Sequence, residues 1–244
     1  MNTNPPYGLD RKKRRTCRFF WSALLAMCAL PTAAQTFGPV LSEYRLRADG
    51  SFEVVNDGFA PMNVVLELNS FTVSASGEIT YRPLDPGITV RFSENSFRVP
   101  PKQRHAVFYT AKAAALPAYF VVYAAMSSIP KRTTSGMNVV IKLPHTVYIL
   151  PKKDAARADV RVVQALFDPN TSKLRIEIAS QSPAFARVLD TTITSGKTKV
   201  EQGGFPLYPH YTRRLEVDWK EPSPPEKVTF AFEHFKVEAS VSPE

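Results

Sequence analysis

Apolar and polar residues alternate along most of the chain, with turn residues at short intervals, as in half-buried β-strands. Residues 51–56 alternate after an Ala-Asp-Gly turn, and residues 63–68 follow a Gly58-Phe59-Ala60-Pro61 break. Ser76-Gly77 turns the chain between residues 71–73 and 78–81. Residues 104–110 alternate after Pro100-Pro101, and 119–124 form a continuous apolar run, as expected of a strand buried on both faces. Residues 111–116 (AKAAAL) have helical propensity, cut to at most one turn by Pro117. The polar, proline-led stretch 151–157 has no strand pattern and reads as an elbow. Beyond it, strands are expected at 160–167, 173–178, 190–194, 214–219, 228–232 and 233–241. The pattern predicts an all-β chain of two immunoglobulin-like β-sandwich domains, residues 35–151 and 159–244, joined by a linker at 152–158.

One stretch breaks the ordinary pattern. In SGMNVVIKLPHTVYILPKK (135–153) the residues Met137, Val139, Ile141, Leu143, His145, Val147 and Ile149 all fall in one phase. The other phase is interrupted by Asn138, Lys142, Pro144 and Thr146. Pro144 argues against a central strand, because proline donates nothing to the ladder. A long apolar edge is hazardous unless something is meant to pair with it. The polar loop 128–136 leads straight into this strand, an arrangement suited to pairing with a partner strand. Alternation alone fits equally well with an internal strand packing its own core.

The ends and the charge narrow the setting. Arg11 to Arg15 and Arg18 form a basic segment, residues 19–30 are apolar, and Pro31-Thr32-Ala33-Ala34 offers a cleavage site before Gln35. Residues 1–34 therefore read as a secretory signal peptide, with no later span long enough to cross a membrane. Both cysteines, Cys17 and Cys28, lie inside it, so the remaining chain carries neither disulfide nor thiol nucleophile. The net charge of +9 is also concentrated there: the segment holds six Lys/Arg and one Asp, leaving 25 basic and 21 acidic residues. These are scattered rather than striped, which argues against nucleic-acid binding. The four histidines have no metal-ligand spacing, and no phosphate loop or nucleophile elbow is present. The expectation is a binding protein, not an enzyme, with no metal or cofactor.

The order of these features resembles the immunoglobulin-like periplasmic chaperones of the chaperone–usher pilus pathway. The resemblance covers the chain after residue 34. It rests on Leu41-Ser42-Glu43-Tyr44-Arg45-Leu46, on Val54-Val55-Asn56, and on Phe97-Arg98-Val99-Pro100-Pro101-Lys102-Gln103. Its most specific part is the run from Tyr119 to Leu150, with Ile129-Pro130 before a polar loop and an alternating strand. In the second half, Gly204 to Pro209 with Arg213-Arg214 resembles the family's proline-marked turn.

The resemblance implies a periplasmic chaperone that lends a strand to pilin-type subunits and passes them to an outer-membrane usher for pilus assembly. Met137, Val139, Ile141 and Leu143 would be the donated side chains. Arg45 would bind the subunit's C-terminal carboxylate. The family's partner lysine falls at Thr146, so Lys142, in the same phase, is the substitute candidate, with His145 next to the position. Leu150 stands where an interdomain arginine is usual. The open strand is also a candidate for self-association. The rival reading is a periplasmic or surface structural module without subunit transfer. A glycan-binding module would need an aromatic platform, for which Trp219 and Tyr208 are the candidates, although core or turn packing suits both.

Overall fold

The structure is a computed structural model, and it describes residues 35–128 and 139–244. In the first half the strands are β1 (Gln35–Gly38), β2 (Leu41–Arg45), β3 (Ala48–Asn56), β4 (Met62–Val73), β5 (Ile79–Pro83), β6 (Ile88–Phe92), β7 (Ser96–Val99), β8 (Gln103–Ala113), β9 (Ala118–Ser128) and β10 (Val140–Leu150). They form one sheet of order β1-β3-β8-β6 and a second of order β2-β10-β9-β4-β5, with β7 also on β4. The inward phases of both sheets meet in one core that includes Phe52, Val54, Val64, Val107, Tyr109, Phe120, Val122, Val147 and Ile149.

The second half contains β11 (Val160–Asp168), β12 (Lys173–Ser180), β13 (Ala186–Ser195), β14 (Thr198–Leu207), β15 (Thr212–Asp218), β16 (Lys227–Ala231), β17 (Lys236–Ser240) and β18 (Ser242–Pro243). Its two sheets, β15-β12-β11-β18 and β14-β13-β16-β17, enclose a separate core built on Leu174, Ile176, Ile178, Ile193, Leu207, Val228 and Phe230. The chain is all-β and consists of two immunoglobulin-like sandwiches.

Local sequence rules give way to tertiary context in several places. Residues 63–68 and 71–73 belong to one strand, β4, which crosses from one core to the junction between the sandwiches. The expected helical turn at 111–116 is replaced by strand up to Ala113. Ala111 pairs with both Ala48 and Val90 and is buried, and ladder bonds outweigh alanine's helical preference there. Gly204-Phe205-Pro206-Leu207 is not a turn but the end of β14, and the chain turns at Pro209-His210 instead. Pro206 sits on an edge strand, the position in a sheet where proline is tolerated.

A third apolar cluster joins the two halves. Phe71, Tyr148 and Leu150 from the first meet Phe185 and Tyr208 from the second, with Tyr119 and Tyr211 packed alongside. The Tyr148 and Tyr208 hydroxyls are 3.2 Å apart, and burial raises the Tyr208 pKa, so it stays a neutral hydroxyl. The backbone N–H of Arg214 donates to Ala75 at 2.8 Å, and Tyr211 donates its hydroxyl proton to the Ser74 carbonyl. Gly77, at φ +91, is required by the β4–β5 turn. The Arg213 guanidinium lies where its Cβ would be.

Candidate functional site

The N-terminal segment determines where one edge of β10 is covered. β1 pairs with β3 in the first sheet, and the chain then switches sheets, so that β2 runs parallel to β10. The pairing begins only at Thr146↔Leu41 and runs to Leu150↔Arg45. On its other side β10 pairs with β9 along nearly its whole length, from Val140↔Ser127 to Ile149↔Ala118 with no register shift. Between Val140 and His145, no strand among the described residues covers the second edge.

A buried polar chain pins this crossover. His145 has no solvent exposure, and its Nδ1–H donates to the Pro39 carbonyl at 2.6 Å. That fixes the tautomer, so Nε2 accepts the Tyr109 hydroxyl proton across 2.9 Å. The Tyr44 hydroxyl lies 3.1 Å from that of Tyr109. Burial lowers the His145 pKa, partly opposed by its bond to Pro39, so the ring stays neutral. Burial and the Tyr44 hydroxyl raise the Tyr109 pKa. Next to this chain the N–H of Thr146 donates to the Val40 carbonyl at 2.8 Å.

Gly50 makes room for Tyr44. A Cβ there would sit 1.9 Å from the Tyr44 hydroxyl oxygen and 3.3 Å from that of Tyr109. Gly50→Ala should therefore push Tyr44 away from Tyr109 and lower stability by about 1–2 kcal/mol in urea melts. Unchanged stability would show that Tyr44 adds nothing to the network.

Two hydrogen bonds fix which way the backbone of β10 faces. Thr146 N–H and Leu150 C=O both point to the β2 side, the latter accepting from Leu46 at 2.8 Å. Backbone groups of successive strand residues point to opposite sides, so every even residue of β10 faces the β2 side. Val140, Lys142 and Pro144 thus present their backbone to the open edge. Pro144 costs the β9 ladder nothing, because its missing N–H falls on the uncovered side. This is how a proline sits within a strand that has neighbours on both flanks.

The side chains divide by phase. Leu143, Val147 and Ile149 face the first core, Leu143 at its margin, and His145 lies between them. Towards the open end Val139 and Ile141 are 56% and 39% exposed, and Val140 is 52% exposed. Of the expected strand residues, Ile141 and Leu143 lie in the open stretch, Val139 lies just before it, and Met137 lies outside the described residues. The signal segment 1–34 and the loop that includes Ile129-Pro130 lie outside them as well.

Arg45 sits elsewhere, at the mouth of the cleft between the sandwiches. Its guanidinium donates to the Pro151 carbonyl at 3.0 Å and pairs with Asp154 at 2.5 Å, both side chains being roughly half exposed. Lys142 is not its neighbour. Arg45 is level with Leu150, eight residues further along β10, or roughly 26 Å at the usual strand rise. Lys142 instead pairs with Glu67 at 2.6 Å, with both side chains exposed. The second cation of the cleft is Arg187 on β13, whose Nε donates to Glu43 at 2.6 Å and whose guanidinium lies over the Tyr148 and Phe185 rings. Sequence reading could not find Arg187, because its partner is 144 positions away and no local motif marks either residue. Trp219 and Tyr208, the candidate platform residues, are both buried. Among the described residues no group of three or more His, Cys, Asp or Glu side chains could hold a metal ion.

No family model and no curated protein sequence matches the chain. Solved structures do. The class 5 fimbriae chaperone CfaA aligns with a TM-score of 0.53 and 13% identity, over 86% of this chain and all of that one. The fold is that of the fimbrial chaperones. The E. coli chaperone DraB aligns with a TM-score of 0.52 and 14% identity, over 84% of this chain and 97% of that one. A chain from the Salmonella enterica SafA pilin–SafB chaperone complex aligns at 0.53 and 13%, over 87% and 98%. The match to the chaperone fold thus spans both sandwiches.

Proposed function

We propose that the protein is a periplasmic chaperone for pilin-type subunits, exported by its N-terminal segment. It would hold each subunit by lending it β10 and deliver it to an outer-membrane usher. The observation that supports this reading most is the open edge of β10 from Val140 to His145, flanked by exposed Val139, Val140 and Ile141, in a chain with the fimbrial chaperone fold. An uncovered edge with apolar side chains beside it is avoided in proteins that do not use it. Adding a strand there gives affinity through backbone bonds and selectivity through alternate side chains. Met137, Val139, Ile141 and Leu143 are the proposed donated residues.

Arg45 is the proposed contact for the subunit's terminal carboxylate. That carboxylate would replace Asp154 on the guanidinium, an exchange of one exposed ion pair for another and hence of low cost. Arg187, rather than Lys142, is the second cation within the same cleft. Binding needs no nucleotide or metal in this scheme.

Co-expression in a bacterial periplasm with a pilin-type subunit tests the reading. A soluble one-to-one complex is expected, with the subunit degraded or aggregated when expressed alone. Subunits equally soluble without this chain would contradict the chaperone role and favour the structural-module reading.

A further inference from the structure

The open edge of β10 carries two features that oppose pairing with its own kind. Val140 and Lys142 each offer an N–H and a C=O to an added strand, whereas Pro144 offers only a C=O. Consider two copies pairing antiparallel about a two-fold axis at Lys142, the arrangement with the greatest overlap of this edge. Val140 of one copy then lies opposite Pro144 of the other, twice, and the two Lys142 residues lie opposite each other. Each Val140 carbonyl finds no donor, so two ladder bonds are lost. Like charges directly opposite are also unfavourable, and the Glu67 beside each Lys142 offsets this only in part because both side chains are exposed. Shifting the axis to Leu143 places Lys142 opposite Pro144 and again loses two bonds. The covered stretch from Thr146 onward blocks a larger shift that way, and an axis at Ile141 keeps the lysines apart but retains only the two Val140–Lys142 pairs of the open stretch, with Pro144 outside the overlap.

A strand from a different protein avoids most of this. It meets one Pro144 instead of two, so one bond is lost, and its residue opposite Lys142 need not be cationic. We infer that Lys142 and Pro144 keep the open edge of β10 from closing on a second copy of this chain, and so reserve it for a foreign strand with a neutral or acidic residue opposite Lys142. Lysine and proline are residues that edge strands use against unwanted pairing. Here they stand two residues apart in the only phase whose backbone faces the open side. The inference goes beyond the chaperone reading, because it concerns which strands the edge refuses.

Its test needs no subunit and therefore fails or succeeds separately from the capture experiment. Sedimentation velocity of the full exported chain should show a monomer over a wide concentration range. Pro144→Thr restores the missing donor and should tighten self-association about tenfold or more, because two bonds return per pair. Lys142→Thr should act in the same direction through charge, and the double variant should dimerise most. Ile141→Asp added to the double variant should return it to monomer if the new contact is this edge. Near-ultraviolet circular dichroism checks that each variant is folded, and Lys142→Thr alone decides the matter if Pro144→Thr does not fold. Variants as monomeric as the starting protein would overturn the inference. So would a starting protein that already dimerises through this edge.

Discussion

His145→Ala should lower the stability of the chain by about 3 kcal/mol, enough to cost a large share of a typical domain's stability. The ring is fully buried between Phe37, Phe52 and Tyr109, so truncation leaves a cavity. It also strips the Pro39 carbonyl and the Tyr109 hydroxyl of their partner, and each orphaned buried group adds its own cost. Loosening Pro39 should loosen β2 as well, since Thr146 and Val40 are bonded next to it. Backbone amides of β2 and of Thr146 should then exchange with solvent faster than those of β9. Wild-type stability in this variant would mean that the network is ornamental.

The same residue should make the wild-type chain acid-sensitive. Burial holds the folded pKa below the ordinary value of 6.5. As pH falls, the unfolded chain therefore takes up the proton first, which favours unfolding. Stability should be intact above about pH 6.5 and decline below it, by about 1.4 kcal/mol per pH unit until the folded pKa is reached. The titratable neighbour bonded to the ring is Tyr109, whose hydroxyl burial keeps neutral in this range, and no carboxylate contributes to the shift of the ring. His145→Gln keeps a donor for Pro39 but cannot titrate. Its urea stability should fall less than that of the wild type between about pH 7 and about pH 5. Parallel slopes for the two proteins would show that the acid response lies elsewhere.

The fold class was legible because it depends on phase, and phase is written locally. Alternation at 104–110 and 173–178 reports the side-chain period of a strand directly, and the apolar run at 119–124 reports burial on both faces. β6, β7 and β14 were not legible. β6 and β7 are runs of five and four residues that include Arg91, Ser96 and Arg98, β14 is interrupted by Gly203, Gly204 and Pro206, and pairing with β8, β4 and β13 holds them in place. Alanine's preference misled at 111–113 for the same reason: a ladder on both sides decides the backbone. The open strand was marked in the sequence by its proline, but the sequence could not say which flank was open. That depends on β2 arriving at Thr146 and not earlier, a consequence of where Pro39 meets His145, 106 residues apart. The cleft was half legible. Arg45 was marked only by the resemblance of residues 41–46 to the family's first strand, whereas Arg187, Glu43 and Asp154 acquire meaning only when the two sandwiches meet.

The central claim is that another protein's strand adds to β10 along its open edge, with alternate side chains of β10 filling that protein's groove. Ile141 is the described residue best placed to test it. Its side chain points along the same face as Leu143, yet it is exposed in the free protein, so Asp at this position should leave the fold intact. In a complex the same carboxylate would be buried in an apolar groove without a partner, at a cost of several kcal/mol. Wild-type chain and Ile141→Asp should be co-expressed with a pilin-type subunit, and the subunit recovered with each should be measured. We expect recovery to fall to background with Ile141→Asp while its thermal midpoint stays near that of the wild type. Full recovery of subunit by a folded Ile141→Asp chain would contradict strand donation.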